Sequence, residues 1–295
     1  MAGDGKGTPK VRALGAELRE HRELAGFTLR QLATKLGKHH SVLARYETGE
    51  KRPEPETVAA IMTALDAPPS ERSRIVELAR IAGDANWVAV GDSSHRDMTT
   101  LIEYERTART IVEVATTVIP GLLQTYDYAH AIISKWSPHD AGVRTATRLG
   151  RRDVLTKKNA PTFTAIITEN ALREPIGGSP AHAEQLRYLA AAAEADNVEI
   201  LVVPSRATEW NPSHAGSFIH FAFAKGEPIV YIEHFSSLTL LHSPKEVKAF
   251  QDAITTLRDV AMDRSDSAKF ITELAAEAEG GPSHDDSGRG SAELA

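Results

Sequence analysis

The sequence predicts a multi-domain chain in which an all-α N-terminal bundle of four to five helices precedes a larger α/β (α+β) C-terminal domain. A chain of 295 residues is too long for one small helical bundle. Up to about residue 82, apolar residues recur at helical spacing between single glycines. Beyond residue 98, runs of β-branched residues alternate with helical segments, which indicates a mixed sheet domain.

The first two helices follow from apolar spacing and from the residues at their ends. Residues 11–25 place leucines on one face, and Gly26 ends the helix. Thr28 is then the expected N-cap of the second helix, with Gln31 three residues later in a capping-box arrangement. Gly37 ends the second helix, because glycine readily adopts the left-handed backbone of a helix end.

Three further helices complete the bundle. The third is predicted over 40–47 and is closed by Gly49. Prolines restart the chain into a fourth helix over 55–65. A fifth helix, 70–82, either belongs to the bundle or leads onward.

The larger domain is predicted from segments of alternating character. Strands are expected at 111–119, 163–168, 198–203, 218–223, 229–233 and 238–241, and helices at 97–110, 122–134, 143–158, 181–195, 244–259 and 266–279. The predicted boundaries are a disordered leader at 1–8, the bundle at 9–82, a linker at 83–97, the larger domain at 98–279 and a disordered tail at 280–295.

Composition and charge narrow the classes of function. The chain has no cysteine, which excludes disulfides and thiolate metal sites. Its net charge of −6 divides into +3 for residues 1–65 and −9 for the rest, which fits a basic head that contacts phosphate and an acidic body. It contains neither an apolar run of roughly 18 residues nor an N-terminal signal-peptide core, so we expect a cytoplasmic protein with no membrane partner.

The segment 28–58 carries the most specific pattern in the chain. Two short helices flank a glycine turn, and a Gly-x-x-Arg-Pro exit loop follows them. This spacing indicates a DNA-binding helix-turn-helix bundle; a helical bundle without DNA function is the alternative. Residues 11–65 resemble the phage-repressor-like, or XRE, helix-turn-helix family.

The resemblance implies which side chains read DNA bases. The family places its second motif helix in the major groove, and the matching positions here are His40, Ser41 and Arg45. Arg45 is the leading candidate because a guanidinium can donate two hydrogen bonds to guanine, with a phosphate contact as the alternative. Ala44 stands where many relatives have a serine.

Contacts with the DNA backbone are expected from basic side chains and from the N-terminus of the second helix, although such charges also occur on any solvated surface. The residues concerned are Thr28, Arg30, Lys38, Lys51 and Arg52.

Two further features are implied by the XRE resemblance. Arg22 and Glu47 match a structural ion pair between the first helix and the end of the recognition helix. The family also pairs two heads on a palindromic operator, so we expect a homodimer on double-stranded DNA.

The rest of the chain resembles the DUF5753 family that follows XRE heads in many actinobacterial regulators. The motifs are IPGLLQTYDYA (119–129), TRLGRRDVL (147–155), TENALREPIGG (168–178), AEQLRYL (183–189), NVEILVVP (197–204) and GSFIHF (216–221). Gly150 and Arg152 depart from the family's common alanine and glutamine. The family is described as antitoxin-like, with a small DUF397-type partner protein, so the resemblance implies a partner or a regulatory input. The acidic charge would suit a basic partner, or it serves solubility alone.

We expect no catalytic residues, no metal and no cofactor. Glu103 and Glu105 cannot face each other on a helix, because side chains two positions apart diverge. The histidines between 214 and 242 lack the spacing of metal ligands, and His220 fits an alternating strand residue better than a site. The chain is therefore expected not to be an enzyme.

Two groups of residues in the larger domain could bind a ligand. Arg148, Arg151 and Arg152 either hold an anion, add a DNA contact or form a solvated helix face. In the loop before GSF, Trp210, Asn211 and His214 either line a small-molecule pocket or only pack the loop.

The sequence thus predicts a sequence-specific transcriptional regulator whose C-terminal domain senses a protein partner or a small-molecule effector. The alternative is an antitoxin-like adaptor that binds a DUF397-type protein and uses DNA binding for autoregulation.

Overall fold

A computed structural model describes residues 9–82, 87–90, 94–205, 209–224, 226–234 and 237–280. These residues form an N-terminal bundle of five helices and a C-terminal domain built on one mixed sheet, which confirms the predicted fold class. The predicted leader 1–8 and residues 281–295 of the predicted tail lie outside the described residues.

The bundle is built from short helices whose apolar faces meet in one core. Leu14 and Leu18 of the first helix pack with Leu32 and Leu43 of the next two. Gly37, between the second and third helices, has φ +62°, a backbone conformation that side chains with a Cβ rarely adopt. The helices are α1 (Pro9–Leu24), α2 (Leu29–Lys35), α3 (His40–Glu47), α4 (Pro55–Ala64) and α5 (Pro69–Ile81).

The described residues of the second domain form seven strands in the order β1-β7-β6-β5-β2-β3-β4. Strands β2, β3 and β4 run parallel, while the pairs β1/β7, β7/β6, β6/β5 and β5/β2 are antiparallel. The strands are β1 (Trp87–Val90), β2 (Ala108–Ala115), β3 (Thr162–Thr168), β4 (Val198–Val203), β5 (Phe218–Phe223), β6 (Ile229–Glu233) and β7 (Ser237–Leu241).

Helices cover both faces of this sheet. On one face, apolar residues of β2, β3 and β4 pack against α6, α7, α10 and α12. On the other face, Val112, Val114 and Ile166 pack against α11 through residues such as Leu257. The helices are α6 (Ser94–Thr107), α7 (Tyr126–Trp136), α8 (Ala141–Gly150), α9 (Glu169–Arg173), α10 (Ser179–Ala192), α11 (Pro244–Val260) and α12 (Arg264–Gly280).

Some predicted boundaries are wrong. Within the predicted linker 83–97, Trp87–Val90 pairs with β7 as an edge strand and α6 begins at Ser94. A strand of four residues is too short to show a clear alternation of apolar and polar residues, so the sequence did not predict it. The predicted helix 143–158 is divided into α8 and a 3₁₀ helix, Arg151–Leu155. The predicted helix 122–134 likewise begins as a 3₁₀ turn, Gly121–Leu123, before α7.

Candidate DNA interface and its contacts with the sheet domain

The first helix of the motif, α2, is fixed at its start by a capping box. The Thr28 hydroxyl accepts a hydrogen bond from the Gln31 N–H at 3.3 Å, and the Gln31 side chain accepts one from the Thr28 N–H at 2.9 Å. This exchange ends the preceding turn and starts the helix at Leu29. Thr28 remains exposed, at the end of the helix where the macrodipole favours a phosphate.

The recognition helix, α3, has a cap that the sequence patterns did not point to. His39 Nδ1 accepts a hydrogen bond from the Ser41 N–H at 3.3 Å and lies 2.7 Å from the Ser41 hydroxyl. The His39 and His40 rings are 4.3 Å apart, centroid to centroid. The only available signal was a polar residue directly before the helix. The cap orients the Ser41 hydroxyl.

One face of α3 is buried and the other is open. Leu43, Tyr46 and Glu47 face the bundle, whereas His40, Ser41 and Arg45 are exposed. Ser41 and Arg45 are four residues apart and therefore neighbours on one helical face. The Arg45 guanidinium contacts Glu50 loosely, with Nε 3.8 Å from the carboxylate. The assignment of these three side chains to base reading stays a prediction.

The proposed backbone contacts differ in how free their side chains are. Arg30, Lys38 and Lys51 are exposed. Arg52 donates hydrogen bonds to the carbonyl oxygens of Ala79, at 2.9 Å, and Arg80, at 3.1 Å. The guanidinium of Arg52 therefore ties the exit loop to the end of α5, a contact inside the bundle that spacing could not show.

Arg22 and Glu47 form a buried, two-pronged ion pair. Arg22 Nε and Nη2 donate to the two carboxylate oxygens of Glu47 at 2.7 and 2.9 Å. Arg22 Nη1 also donates to the Phe27 carbonyl at 2.9 Å. The hydrogen bond to Glu47 raises the pKa of Arg22 above its usual value. Because both side chains are buried, this pair joins α1 rigidly to the end of α3.

The back of the bundle contacts the sheet domain through α1 and α6. Arg19 of α1 donates to the Glu103 carboxylate of α6 at 2.6 Å and to the Glu47 carbonyl at 2.8 Å. One turn along, the Thr99 hydroxyl donates to the Glu20 carboxylate at 2.9 Å. Arg19 thus links the end of the recognition helix to the sheet domain.

Arg12 makes a second link between the two domains. Its guanidinium lies 3.7 Å from the Phe223 ring centroid and 5.5 Å from that of Tyr104. Its Nη2 donates to the Glu227 carbonyl at 3.0 Å. Burial lowers the pKa of Arg12. The residue anchors α1 to the β5–β6 turn by cation–π contact.

The interpretation of the arginine cluster as a solvated helix face is wrong. Arg151 is buried and donates to both carboxylate oxygens of Glu105, at 3.0 and 2.6 Å. Arg152 stacks on the Tyr188 ring at 4.2 Å, and Arg148 is partly buried. Arg148 lies within α8, and Arg151 and Arg152 lie in the 3₁₀ helix that follows it; all three side chains are at least partly buried. Glu103 and Glu105 do point apart, one to each domain.

The loop before β5 uses its polar groups locally. Asn211 and His214 form a capping box around a 3₁₀ helix, Pro212–Ala215, while Trp210 is exposed. Asn211 Nδ2 is buried and has no hydrogen-bond partner among the described residues. Whether these residues line a ligand pocket stays a prediction. His220 lies buried in β5, where burial lowers its pKa. Within the described residues, no three acidic or imidazole side chains are grouped as a metal site would need.

Comparison with known proteins agrees with both halves of the structure. Residues 13–75 match a helix-turn-helix domain family, and residues 98–273 match the family described as a domain of unknown function, DUF5753. No curated protein matches the chain. In the described ranges, every helix is too short or too polar to serve as a membrane span.

An open recognition face on a helix-turn-helix, held from behind by a buried ion pair, defines a DNA-binding regulator. The chain belongs to the DUF5753 family, joined here to that DNA-binding head.

Proposed function

We propose that the chain is a sequence-specific transcriptional regulator that binds a palindromic operator as a homodimer in the cytoplasm. The observation that carries this proposal is the outer face of α3, where His40, Ser41 and Arg45 are exposed while the opposite face is locked into the bundle. A rigid helix with exposed polar side chains can enter the major groove without first reorganising.

We propose further that the DUF5753 domain receives a signal and does not catalyse a reaction. Support comes from Arg19, which contacts both the Glu47 carbonyl at the end of α3 and the Glu103 carboxylate on α6. A change in the position of α6 would reach the recognition helix through this side chain. The signal is a small molecule or a protein; a DUF397-type partner belongs to the second class.

Selection of binding sites from random DNA tests the DNA-reading assignment. The purified wild type is expected to enrich one palindrome. Arg45→Ala should then bind that operator with about 5- to 150-fold lower affinity, because one guanine contact contributes roughly 1–3 kcal/mol of discrimination. Arg187→Ala, an exposed arginine on α10, is the matched control and should bind like wild type.

Two results would contradict the assignment. Absence of any enriched palindrome at physiological salt would remove sequence-specific binding. Arg45→Ala could instead lose affinity equally for all DNA sequences, with the slope of log K against log salt concentration reduced by about one. That result would show that Arg45 contacts a phosphate and not a base.

A further inference from the structure

A cluster of charged side chains lies on the sheet face that α6 and the Gly121–Leu123 turn cover. Ile111 and Ala115 of β2 belong to the core on this face, so Glu113 between them points the same way. Through the strand register, Glu113 lies beside Ile219 of β5, which in turn lies beside Tyr231 of β6. Glu233, two residues further along β6, is exposed, so the cluster reaches solvent on that side.

The rear of the cluster is a fixed ion pair. Arg151 holds Glu105 with two hydrogen bonds, and both residues are buried. The Arg151 guanidinium also lies against Gly121, where a Cβ would come within 3.2 Å of Nη2. The Gly121 backbone N–H lies close enough to the Glu113 carboxylate to lower its pKa. The PGLLQT turn therefore places Glu113 and Arg151 together.

Beside this pair, Arg148 is left with an unsatisfied hydrogen-bond donor. Arg148 donates to the Gln124 side chain at 3.2 Å, while its buried Nε has no hydrogen-bond partner in the described part of the chain. Arg148 is electrostatically coupled to Glu113 and Glu233, yet within the described residues it forms an ion pair with neither. A buried guanidinium N–H without an acceptor is costly in a protein that binds nothing there.

The pKa of Glu113 is shifted as expected for a carboxyl group in this cluster. Burial raises its pKa to about 7, and the carboxylates of Glu105 and Glu233 add to the shift while Arg151 opposes it. Burial likewise lowers the pKa of Arg148. Perturbed titratable groups of opposite charge in one cluster are typical of binding sites.

We propose that this cluster binds a zwitterion of the α-amino-acid class. Its ammonium group would lie between Glu113 and Glu233, and its carboxylate would accept hydrogen bonds from Arg148, including the unpartnered Nε. A simple amine would leave Arg148 without an acceptor, and a simple acid would face two carboxylates. A zwitterion satisfies both and adds no net charge.

The inference deepens the proposed function and rests on it, since it names the signal that the sheet domain receives. The path to the head is short. Arg151, at the rear of the cluster, is bonded to Glu105 on α6, and Glu103, two residues earlier on the same helix, is bonded to Arg19 of the head.

Thermal shift assays on the full chain, with each of the twenty standard L-amino acids at about 10 mM, test the proposal. At least one should raise Tm by about 3 °C or more. Its N-acetyl derivative and its methyl ester, which lack one of the two charges, should not. Calorimetric titration of the active compound should show about 10- to 100-fold weaker binding to Glu113→Gln and to Arg148→Gln.

Matched variants and pH complete the experiment. Glu184→Gln and Arg187→Gln, both exposed on α10, should bind like wild type. Affinity should fall by about tenfold for each pH unit below 7, because the ammonium requires ionised Glu113. The charged and titratable groups that lie around Glu113 and the proposed ligand are Arg148, Arg151, Glu105, Tyr231 and Glu233.

Failure of all twenty amino acids to shift the wild-type Tm would overturn the proposal. Equal binding by the wild type and both cluster variants would also overturn it, since the ligand would then lie elsewhere. Binding is measured without DNA, so either result leaves the operator experiment with Arg45→Ala unaffected.

Discussion

Glu47 combines three contacts in one residue at the end of the recognition helix. Its carboxylate accepts two hydrogen bonds from Arg22, and its carbonyl accepts one from Arg19. Both charged groups of the pair with Arg22 are buried. Removal of a single partner from such a pair leaves the other charge buried without compensation.

Glu47→Ala should therefore lower the free energy of unfolding of the head by about 3–5 kcal/mol. The preferred DNA sequence should stay the same, since the Glu47 side chain faces the bundle and not the open face of α3. Chemical denaturation and a binding-site selection at low temperature measure the two effects. The control Glu56→Ala, an exposed carboxylate on α4, should change stability by no more than about 0.5 kcal/mol. An unchanged Tm with altered base preference would contradict the structural role of Glu47.

At the level of elements, α1 and α3 approach each other through a glycine. A Cβ built on Gly15 of α1 would lie 2.5 Å from the Tyr46 carbonyl oxygen and 2.7 Å from that of Glu47. Both atoms belong to the backbone of α3, so neither can rotate away. The close approach is what brings the end of the recognition helix within reach of Arg19 and Arg22.

Gly15→Ala should destabilise the head by about 1–3 kcal/mol, because the overlap forces the two helices apart and outweighs the better helix propensity of alanine. Gly142→Ala on α8 is the matched control, since a Cβ there meets no atom within 4 Å. This control should be more stable than wild type by no more than about 0.5 kcal/mol, because Gly142 lies in the first turn of α8 and not in its interior. Urea denaturation measures both variants, and equal stabilisation of the two would show that α1 and α3 are not packed this closely.

On the scale of the whole molecule, the two domains are joined by two arginines of α1, Arg12 and Arg19, that lie outside the apolar core of the bundle. Arg19 and Arg12 leave the apolar side of α1 free to pack in the bundle, and they reach across to Glu103, Phe223 and the Glu227 carbonyl. Such polar links can transmit a displacement of α6 to the head.

A double-mutant cycle of Arg19→Ala and Glu103→Gln should give a coupling energy of about 1 kcal/mol or more in denaturation experiments, because the pair is largely screened from water. The cycle also cancels the contacts that Arg19 makes with the Glu47 carbonyl and that Glu103 makes with Arg106. A parallel cycle of Arg106→Ala with Glu103→Gln, which lies within one domain and is more exposed, should give about 0.5 kcal/mol. Additive effects of Arg19 and Glu103 would mean that this contact does not couple the domains.

The sequence by itself determined the helical head, because caps, glycine turns and apolar spacing act within a few residues. The bounds of α3 match the prediction, and six of the seven strands lie close to their predicted places. The sequence patterns failed to predict secondary structure where it depends on contacts with residues distant in sequence. Strand β1 exists through pairing with β7, and the helix predicted at 143–158 changes to a 3₁₀ helix at Arg151, whose side chain is bonded to Glu105.

Only the tertiary structure determined which groups the charged side chains contact. A charge pattern is equally compatible with solvent, DNA or a buried partner, since its free energy depends on which groups surround it. Arg52 is bonded to the end of α5, and its contact with DNA stays a prediction. Arg148 could have been solvated, but among the described residues it is partly buried and bonded to Gln124, without an ion pair to Glu113 or Glu233. Local sequence determined most helices and strands. The connection between the helical bundle and the charged cluster of the sheet domain depends on tertiary contacts alone.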